Sequence, residues 1–285
     1  MFDAIKNIAV DRKNSLPVAD FKGRYKATGT PVVFGDLTRR WPAGRKWSLG
    51  YLKDKVGHVQ ASFYSNVPTV NHGRPSVPVL NSSLSVYFDE LIHRDNDLRV
   101  SNMPMESLFA LRNDIITPRL GYEFNERLTT FDVAGAGSFE PIRQLSEVNH
   151  KVLCHFGEKA SVLLIPPSQT RYVYPVGRTG RSIRGINFEQ PQFETYPALK
   201  KLSAYVATLN HGDSLYIPAG FWYTIAYEGV GVNVSFRFLS ASLPKYIKAM
   251  SDACLSRIAS IGKNSAVALQ RLEKRAFEKT NKRLR

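Results

Sequence analysis

Gly212-Asp213-Ser214-Leu215-Tyr216-Ile217-Pro218-Ala219-Gly220-Phe221-Trp222-Tyr223 reads as a turn, a short buried strand, a Pro-Gly turn and the start of an aromatic strand. Glycine and proline punctuate the backbone, while the apolar and aromatic residues between them suit a pleated, buried segment. Outward from this stretch the same grammar repeats. Val152 to Phe156, Ala160 to Ile165, Tyr205 to Leu209 and Val230 to Leu239 are short strand-like runs separated by Gly, Pro or Asn turns. Short strands that follow one another without βαβ alternation predict a barrel or sandwich.

On the N-terminal side, residues 1–60 read as mixed α/β. A helix ends near Phe21 to Tyr25, Gly29-Thr30-Pro31-Val32-Val33-Phe34-Gly35 is turn, strand, turn, and Ser48 caps a short helix after Trp47. Residues 61–130 alternate short strands with polar loops, with a helix from Tyr87 to His93. After Ser242 the period changes. Leu243, Ile247, Met250, Cys254, Ile258 and Ile261 recur at spacings of three and four, one stripe of an amphipathic helix. Gly262 can stop that helix, and a second one carries Val267, Leu272 and Ala276. The chain thus divides into residues 1–242 and a basic helical segment, 243–285. An apolar stripe of this kind has to be covered, and pairing with a second copy is the expected cover, giving a homodimer through C-terminal helices.

With 285 residues, 43% hydrophobic and 11% aromatic, the chain has the composition of a folded protein with a substantial core. It has no run of about 18 apolar residues, so no membrane helix is expected. Met1 to Lys6 lacks the basic-then-apolar order of a signal peptide. Two cysteines, Cys154 and Cys254, make neither a disulfide framework nor a metal motif, and a cytoplasmic setting is expected. The net charge is +15, of which +8 falls between Leu243 and Arg285, where eleven basic residues face three acidic ones. That tail makes RNA or DNA a candidate partner through counterion release.

Four phrases together resemble the cupin-like JmjC family, in the branch of the factor-inhibiting-HIF asparaginyl hydroxylase. They are Gly29 to Leu37 with Trp41-Pro42-Ala43 and Trp47-Ser48-Leu49; Val162-Leu163-Leu164-Ile165-Pro166-Pro167; Tyr172 to Val176 continuing to Asn187-Phe188-Glu189-Gln190-Pro191 and Tyr196-Pro197; and Gly212 to Trp222. The resemblance covers roughly residues 20 to 240 and implies a double-stranded β-helix (cupin, or jelly-roll). With the elements read above, the expected fold is mainly β, with N-terminal mixed α/β elements and C-terminal helices.

The family's oxygenases hold Fe(II) with two histidines and a carboxylate, leaving positions for 2-oxoglutarate and oxygen. Here the phrase equivalent to His-x-Asp is Glu140-Pro141-Ile142-Arg143-Gln144-Leu145-Ser146-Glu147. Counting forward from Pro141 places Arg143 and Leu145 at the ligand positions. Counting back from Gly157-Glu158-Lys159 places Gln144 and Ser146 there. Neither register holds a histidine, and Tyr223 stands where the resemblance puts the last one. Arginine repels a cation and leucine offers no donor. Glu147 and His150 are the residues left for a rebuilt metal site, while His155, five residues on from His150, faces the other way along a regular strand. Lys159 matches the family's co-substrate lysine, and Tyr172, Tyr174, Trp222 and Tyr223 form a candidate aromatic pocket wall. An inward Arg143 makes the cavity cationic.

The expected function is therefore a catalytically degenerate JmjC-like cupin that binds a protein partner or a small acidic ligand, with no cofactor. The alternatives are a protein hydroxylase using Fe(II) and 2-oxoglutarate through displaced ligands, and an RNA-associated protein acting through its basic tail.

Overall fold

The computed structural model describes residues 2–66, 78–93, 97–176, 182–183 and 186–239. His72, Cys254 and the whole of 243–285, with its expected helices and dimer seam, lie outside them.

Among the described residues the strands are, in chain order, β1 (Lys6–Ala9), β2 (Asp11–Lys13), β3 (Val32–Phe34), β4 (Gln60–Phe63) and β5 (Leu80–Ser83). There follow β6 (Arg99–Pro104), β7 (Thr130–Ala134), β8 (Arg143–Gln144), β9 (Asn149–Gly157) and β10 (Ala160–Ile165). The remainder are β11 (Pro175–Val176), β12 (Ser182–Ile183), β13 (Ser203–Leu209), β14 (Ser214–Ile217), β15 (Trp222–Tyr227) and β16 (Gly231–Leu239).

Two large sheets face each other. One has seven strands in the order β2-β3-β14-β9-β16-β7-β6, the other five in the order β1-β13-β10-β15-β8. Within them β1 joins β13 and β2 joins β3 in parallel, and the other pairings are antiparallel. This is a mainly β, cupin or jelly-roll architecture. The stretch from Gly212 to Tyr223 supplies β14 to one sheet and the start of β15 to the other, so its Pro218-Ala219-Gly220 turn carries the chain between them.

β9 and β16 pair along their full length, from Gly231 opposite Gly157 to Leu239 opposite Asn149. Gly157 ends β9 at φ +102°, and a Cβ there would lie 2.3 Å from the Val230 carbonyl oxygen. Only glycine fits this turn without strain.

Side chains alternate across each strand and fill three cores. Val152, Cys154 and Phe156 of β9, with Val234, Phe236 and Phe238 of β16, pack outward against the N-terminal elements, among them Phe21, Trp41 and Leu52. Leu163 and Ile165 of β10 and Trp222 of β15 pack on the outside of the smaller sheet. Leu153, Leu215, Val162, Leu164, Tyr223 and Ile225 lie between the sheets. Cys154 is fully buried, which pushes its thiol up to about 12 and leaves it a packing residue.

Ser48 caps the helix Leu49–Val56, its hydroxyl accepting the Tyr51 N–H at 3.2 Å, as its position before the apolar residues suggests. Between 61 and 130 the expectation of strands and loops needs correction, because Met105–Asp114 forms 3₁₀ turns. The helix expected from Tyr87 starts earlier, at Leu84. β1 and β2 were also not expected. They are exposed and polar and are held by backbone pairing at sheet edges, so they have no hydrophobic alternation to reveal them. No helix among the described residues is long and apolar enough to cross a membrane.

Candidate functional site

β15 decides which aromatic side chains can meet a ligand between the sheets. Its period of two sends Tyr223, Ile225 and Tyr227 inward and Trp222 and Ala226 outward. The same alternation turns Lys151, Leu153 and His155 of β9 away from the outer core, together with Asn233, Ser235 and Arg237 of β16. The space between the sheets therefore has an apolar part around Leu153 and Ile225 and a strongly polar part beside it.

Two cross-strand pairs build the polar part. Tyr223 lies opposite Arg143 of β8 in one sheet, and Arg237 lies opposite Lys151 in the other. The Lys151 ammonium joins the two pairs. Its Nζ donates to the Tyr223 hydroxyl at 3.2 Å and stands 4.8 Å from the ring centroid, while the Arg143 guanidinium stands 5.5 Å from the same centroid. Lys151 is 1% exposed and Tyr223 2%, whereas the Arg143 side chain is 30% exposed and connects this centre to solvent.

Few anions balance these cations. Arg143 pairs with Glu140, a buried carboxylate that also takes the Ser101 hydroxyl at 3.4 Å. Asp132, also buried, accepts the Asn102 backbone N–H at 2.5 Å. Deeper in, His155 Nδ1 lies 2.8 Å from Asn233 Oδ1, and the Asn233 amide donates to the Tyr227 hydroxyl at 2.5 Å.

The titration behaviour follows from this imbalance. Burial pulls the Lys151 amine below its ordinary value, and the neighbouring charges of Arg143 and Arg237 pull it further, against the opposing effects of Tyr223 and Asp132. Burial pushes the Tyr223 phenol up, but Arg143, Lys151 and Arg237 together outweigh it and the net shift is downward. Burial thus lowers the Lys151 amine, and the surrounding cations lower the Tyr223 phenol. Arg143 Nε, Arg237 Nε, Ser235 Oγ and Thr130 Oγ1 are moreover buried without a hydrogen-bond partner among the described residues. Thr130 and Ser235 are direct partners across β7 and β16. Buried polar atoms of this kind ordinarily find a partner.

The sequence-predicted residues divide sharply. Arg143, Leu145 and Tyr223 come together: Leu145 is buried in the same core as Tyr223, beside Arg143. Gln144 points the other way and donates its amide to the Gly220 carbonyl at 3.1 Å, while Ser146 Oγ takes the Val148 N–H in a local turn. The expected ligand-binding role of Lys159 needs correction. It sits at the turn after β9 with its side chain 51% exposed, 3.3 Å from Glu228, because its parity along the chain sends it outward from the inward Ala160. Trp222 is corrected for the same reason, and Tyr172 and Tyr174 because their turn lies on the outer face. They lie outside the smaller sheet, where the Trp222 Nε1–H donates to Thr170 Oγ1 at 2.9 Å and the Tyr174 hydroxyl accepts the Ala198 N–H at 2.9 Å. His150 faces the outer core, where its Nδ1 accepts from the Tyr216 hydroxyl at 2.8 Å and the Ala219 N–H at 3.1 Å. It therefore cannot join Tyr223 in a metal site, and Glu147 is exposed in the turn beside Gly220.

Lys151 and Arg237 are the residues that sequence reading missed. Arg237 is a single charged residue among Val230 to Leu239, and Lys151 directly precedes the apolar run Val152 to Phe156. That was the available signal, since a cation in a largely buried strand has to be accommodated.

Iron does not fit this centre. A guanidinium and an ammonium repel a divalent cation, leucine has no donor atom, and a phenol alone does not hold one. Among the described residues no group of three His, Cys, Asp or Glu side chains is placed to hold a metal. A surface groove of about 750 Å³ between Ile115 and Glu123 contains none of these residues.

Two facing sheets with an inward polar centre define the cupin class of protein. In agreement, residues 149–241, from β9 through β16, match the cupin-like domain. Lysine-specific demethylase JMJ31 of Arabidopsis thaliana is 23% identical, over 91% of this chain and 56% of its own length. Jumonji C domain-containing protein 5 of Drosophila melanogaster is 26% identical, over 81% of this chain and 60% of its own. Human tRNA wybutosine-synthesizing protein 5 is 30% identical over 95 residues, 33% of this chain and 29% of its own. The chain spans little more than half the length of the first two of these relatives. Over these residues the chain is similar to cupin-like JmjC proteins.

Proposed function

We propose that this chain is a JmjC-type cupin that works without iron and binds a small acidic ligand between its sheets. The observation that carries the proposal is the convergence of Arg143, Lys151 and Arg237 on Tyr223, of which Arg143 and Tyr223 occupy positions where the family resemblance places metal ligands. In this reading Arg143, Leu145 and Tyr223 stand in for the lost triad. The cations that exclude Fe(II) attract a carboxylate or phosphate instead, and an anion would partner the buried Nε atoms of Arg143 and Arg237. Oxidation through displaced ligands has less support, because His150 lies behind β9 and His155 is engaged with Asn233.

Calorimetry tests this directly. Metal-stripped protein is titrated with Mn(II) as an iron surrogate, with and without 2-oxoglutarate, and then with small carboxylates and phosphate. We expect no stoichiometric Mn(II) binding, and anion binding that weakens in Arg143→Gln and Arg237→Gln. Stoichiometric Mn(II) binding strengthened by 2-oxoglutarate would refute the proposal.

A second reading, RNA association, is favoured by one surface feature besides the net charge of +15. Lys22 and Lys26 stand 5.1 and 5.7 Å from the ring centroid of Tyr122, in the groove that also holds Arg119. The name of the human relative points the same way. Salt-dependent binding to tRNA that is lost in Tyr122→Ala would support it.

A further inference from the structure

We propose that Lys151 is a carbonyl-trapping amine, forming a reversible imine with a small carbonyl compound whose carboxylate is held by Arg143 and Arg237. This rests on the anion-binding reading above and goes beyond it, from occupancy of the site to covalent chemistry there.

The argument starts from what surrounds Lys151 Nζ. It is fully buried, its cross-strand partner is a second cation, Arg237, and it donates to the Tyr223 hydroxyl at 3.2 Å. Among the described residues no carboxylate lies within ion-pair distance of it. Glu140 is committed to Arg143, and Asp132 takes the Asn102 N–H. Desolvation and like charge both favour the neutral amine over the ammonium, and a neutral lysine amine is a nucleophile. The Asp132 carboxylate opposes this without forming an ion pair with Lys151, whose direct partner is the Tyr223 hydroxyl.

Those neighbours match the parts that imine formation needs. A guanidinium holds a carboxylate by paired hydrogen bonds. With the carboxylate at Arg143 and Arg237, a carbonyl carbon attached to it comes to the amine that shares the Tyr223 ring with Arg143. The Lys151 nitrogen attacks that carbon, a C–N bond forms, and the carbonyl oxygen takes the Tyr223 phenol proton. The carbinolamine then expels its hydroxyl as water as the C=N bond forms. The nitrogen gives up its two protons, one leaving with the water and one returning to the tyrosine. Amine plus carbonyl gives imine plus water, with no oxidant or reductant. The substrate class is a small 2-oxo acid or aldehyde acid, since the guanidiniums and the amine address adjacent carbons.

The test is reductive trapping. The full-length protein is incubated with pyruvate or glyoxylate and cyanoborohydride, and intact-mass and peptide analysis then locate the adduct. We expect a single adduct on Lys151, absent in Lys151→Arg, which keeps the cation, and in Lys151→Met, which keeps the bulk. Excess acetate, which has a carboxylate but no carbonyl, should slow the trapping, and Arg237→Gln should reduce it. Adducts scattered over surface lysines with the Lys151 peptide unmodified would overturn the proposal. If carboxylates then still bind in an Arg143- and Arg237-dependent way, the anion-binding reading stands and only the covalent step is lost. If they do not bind, both are lost.

Discussion

His150 should make the fold sensitive to mild acid. Its ring is buried, stacks on Phe238 at 4.9 Å between centroids, and uses Nδ1 to accept from both Tyr216 and the Ala219 backbone. Burial, helped by the positive charge of Lys26, holds the imidazole down from an ordinary 6.5 to about 4. Because the folded value is the lower one, the unfolded chain takes up its proton first. The stability contribution is present above pH 6.5 and is lost as pH falls toward 4. At about 1.4 kcal/mol for each pH unit between those values, the full effect is about 3 kcal/mol, of which about 2 kcal/mol is lost by pH 5. The assay is urea unfolding at pH 7.5 and pH 5, compared with His150→Asn, whose amide oxygen takes over the acceptor role of Nδ1 without titrating. The variant should be less stable at pH 7.5 by about 1–2 kcal/mol, for the lost ring packing, but should lose less on acidification. His155, also held below its ordinary value chiefly by burial, is common to both proteins, so the difference isolates His150. Parallel pH profiles would refute the reasoning.

Three further outcomes are expected. Gly157→Ala should destabilise by about 2–4 kcal/mol in thermal or urea unfolding, because its Cβ meets the Val230 carbonyl at a positive φ. Lys151→Met should fold and be no less stable at neutral pH. It should also show a smaller rise in stability as pH increases toward 10, since both Lys151 and Tyr223 titrate below their unfolded values in the wild type. Truncation after Ser242 should convert a dimer to a monomer in analytical ultracentrifugation if the stripe from Leu243 to Ile261 is the subunit seam.

Much of the fold was legible because its signals are local. The turn residues around Gly212 and Gly220 and the apolar runs between them mark β14 and β15, and the runs at Val152, Ala160 and Val230 fall within β9, β10 and β16 or overrun them by one residue. The site was less legible because it depends on parity and on distant pairing. Trp222 and Tyr223 are neighbours with equal claims on paper, yet one residue of alternation puts them on opposite faces of a sheet. Lys159 fails as a ligand residue by the same one-residue margin. Lys151 meets Tyr223 across 72 residues of sequence, and no local pattern reports that contact.

The polar centre is hard to explain as a device for stability. The cores on the outer faces of both sheets are apolar, and a row of Leu and Val between the sheets would complete a third at no desolvation cost. Instead β9 and β16 place Lys151 directly opposite Arg237, a like-charge pair that weakens a sheet. Arg143 reaches the same tyrosine from the facing sheet. Glu140 answers one of these cations, and Asp132 accepts the Asn102 backbone N–H. Lys151 is buried and Arg237 half-buried, and the buried Nε atoms of Arg143 and Arg237 have no partner among the described residues, an arrangement whose energy falls when an anion enters. It also rises if a divalent metal enters, so the electrostatics of the centre oppose iron chemistry as strongly as they favour an acid. On the proposed reading, an entering carboxylate or phosphate would supply the partner that the Nε atoms of Arg143 and Arg237 lack among the described residues.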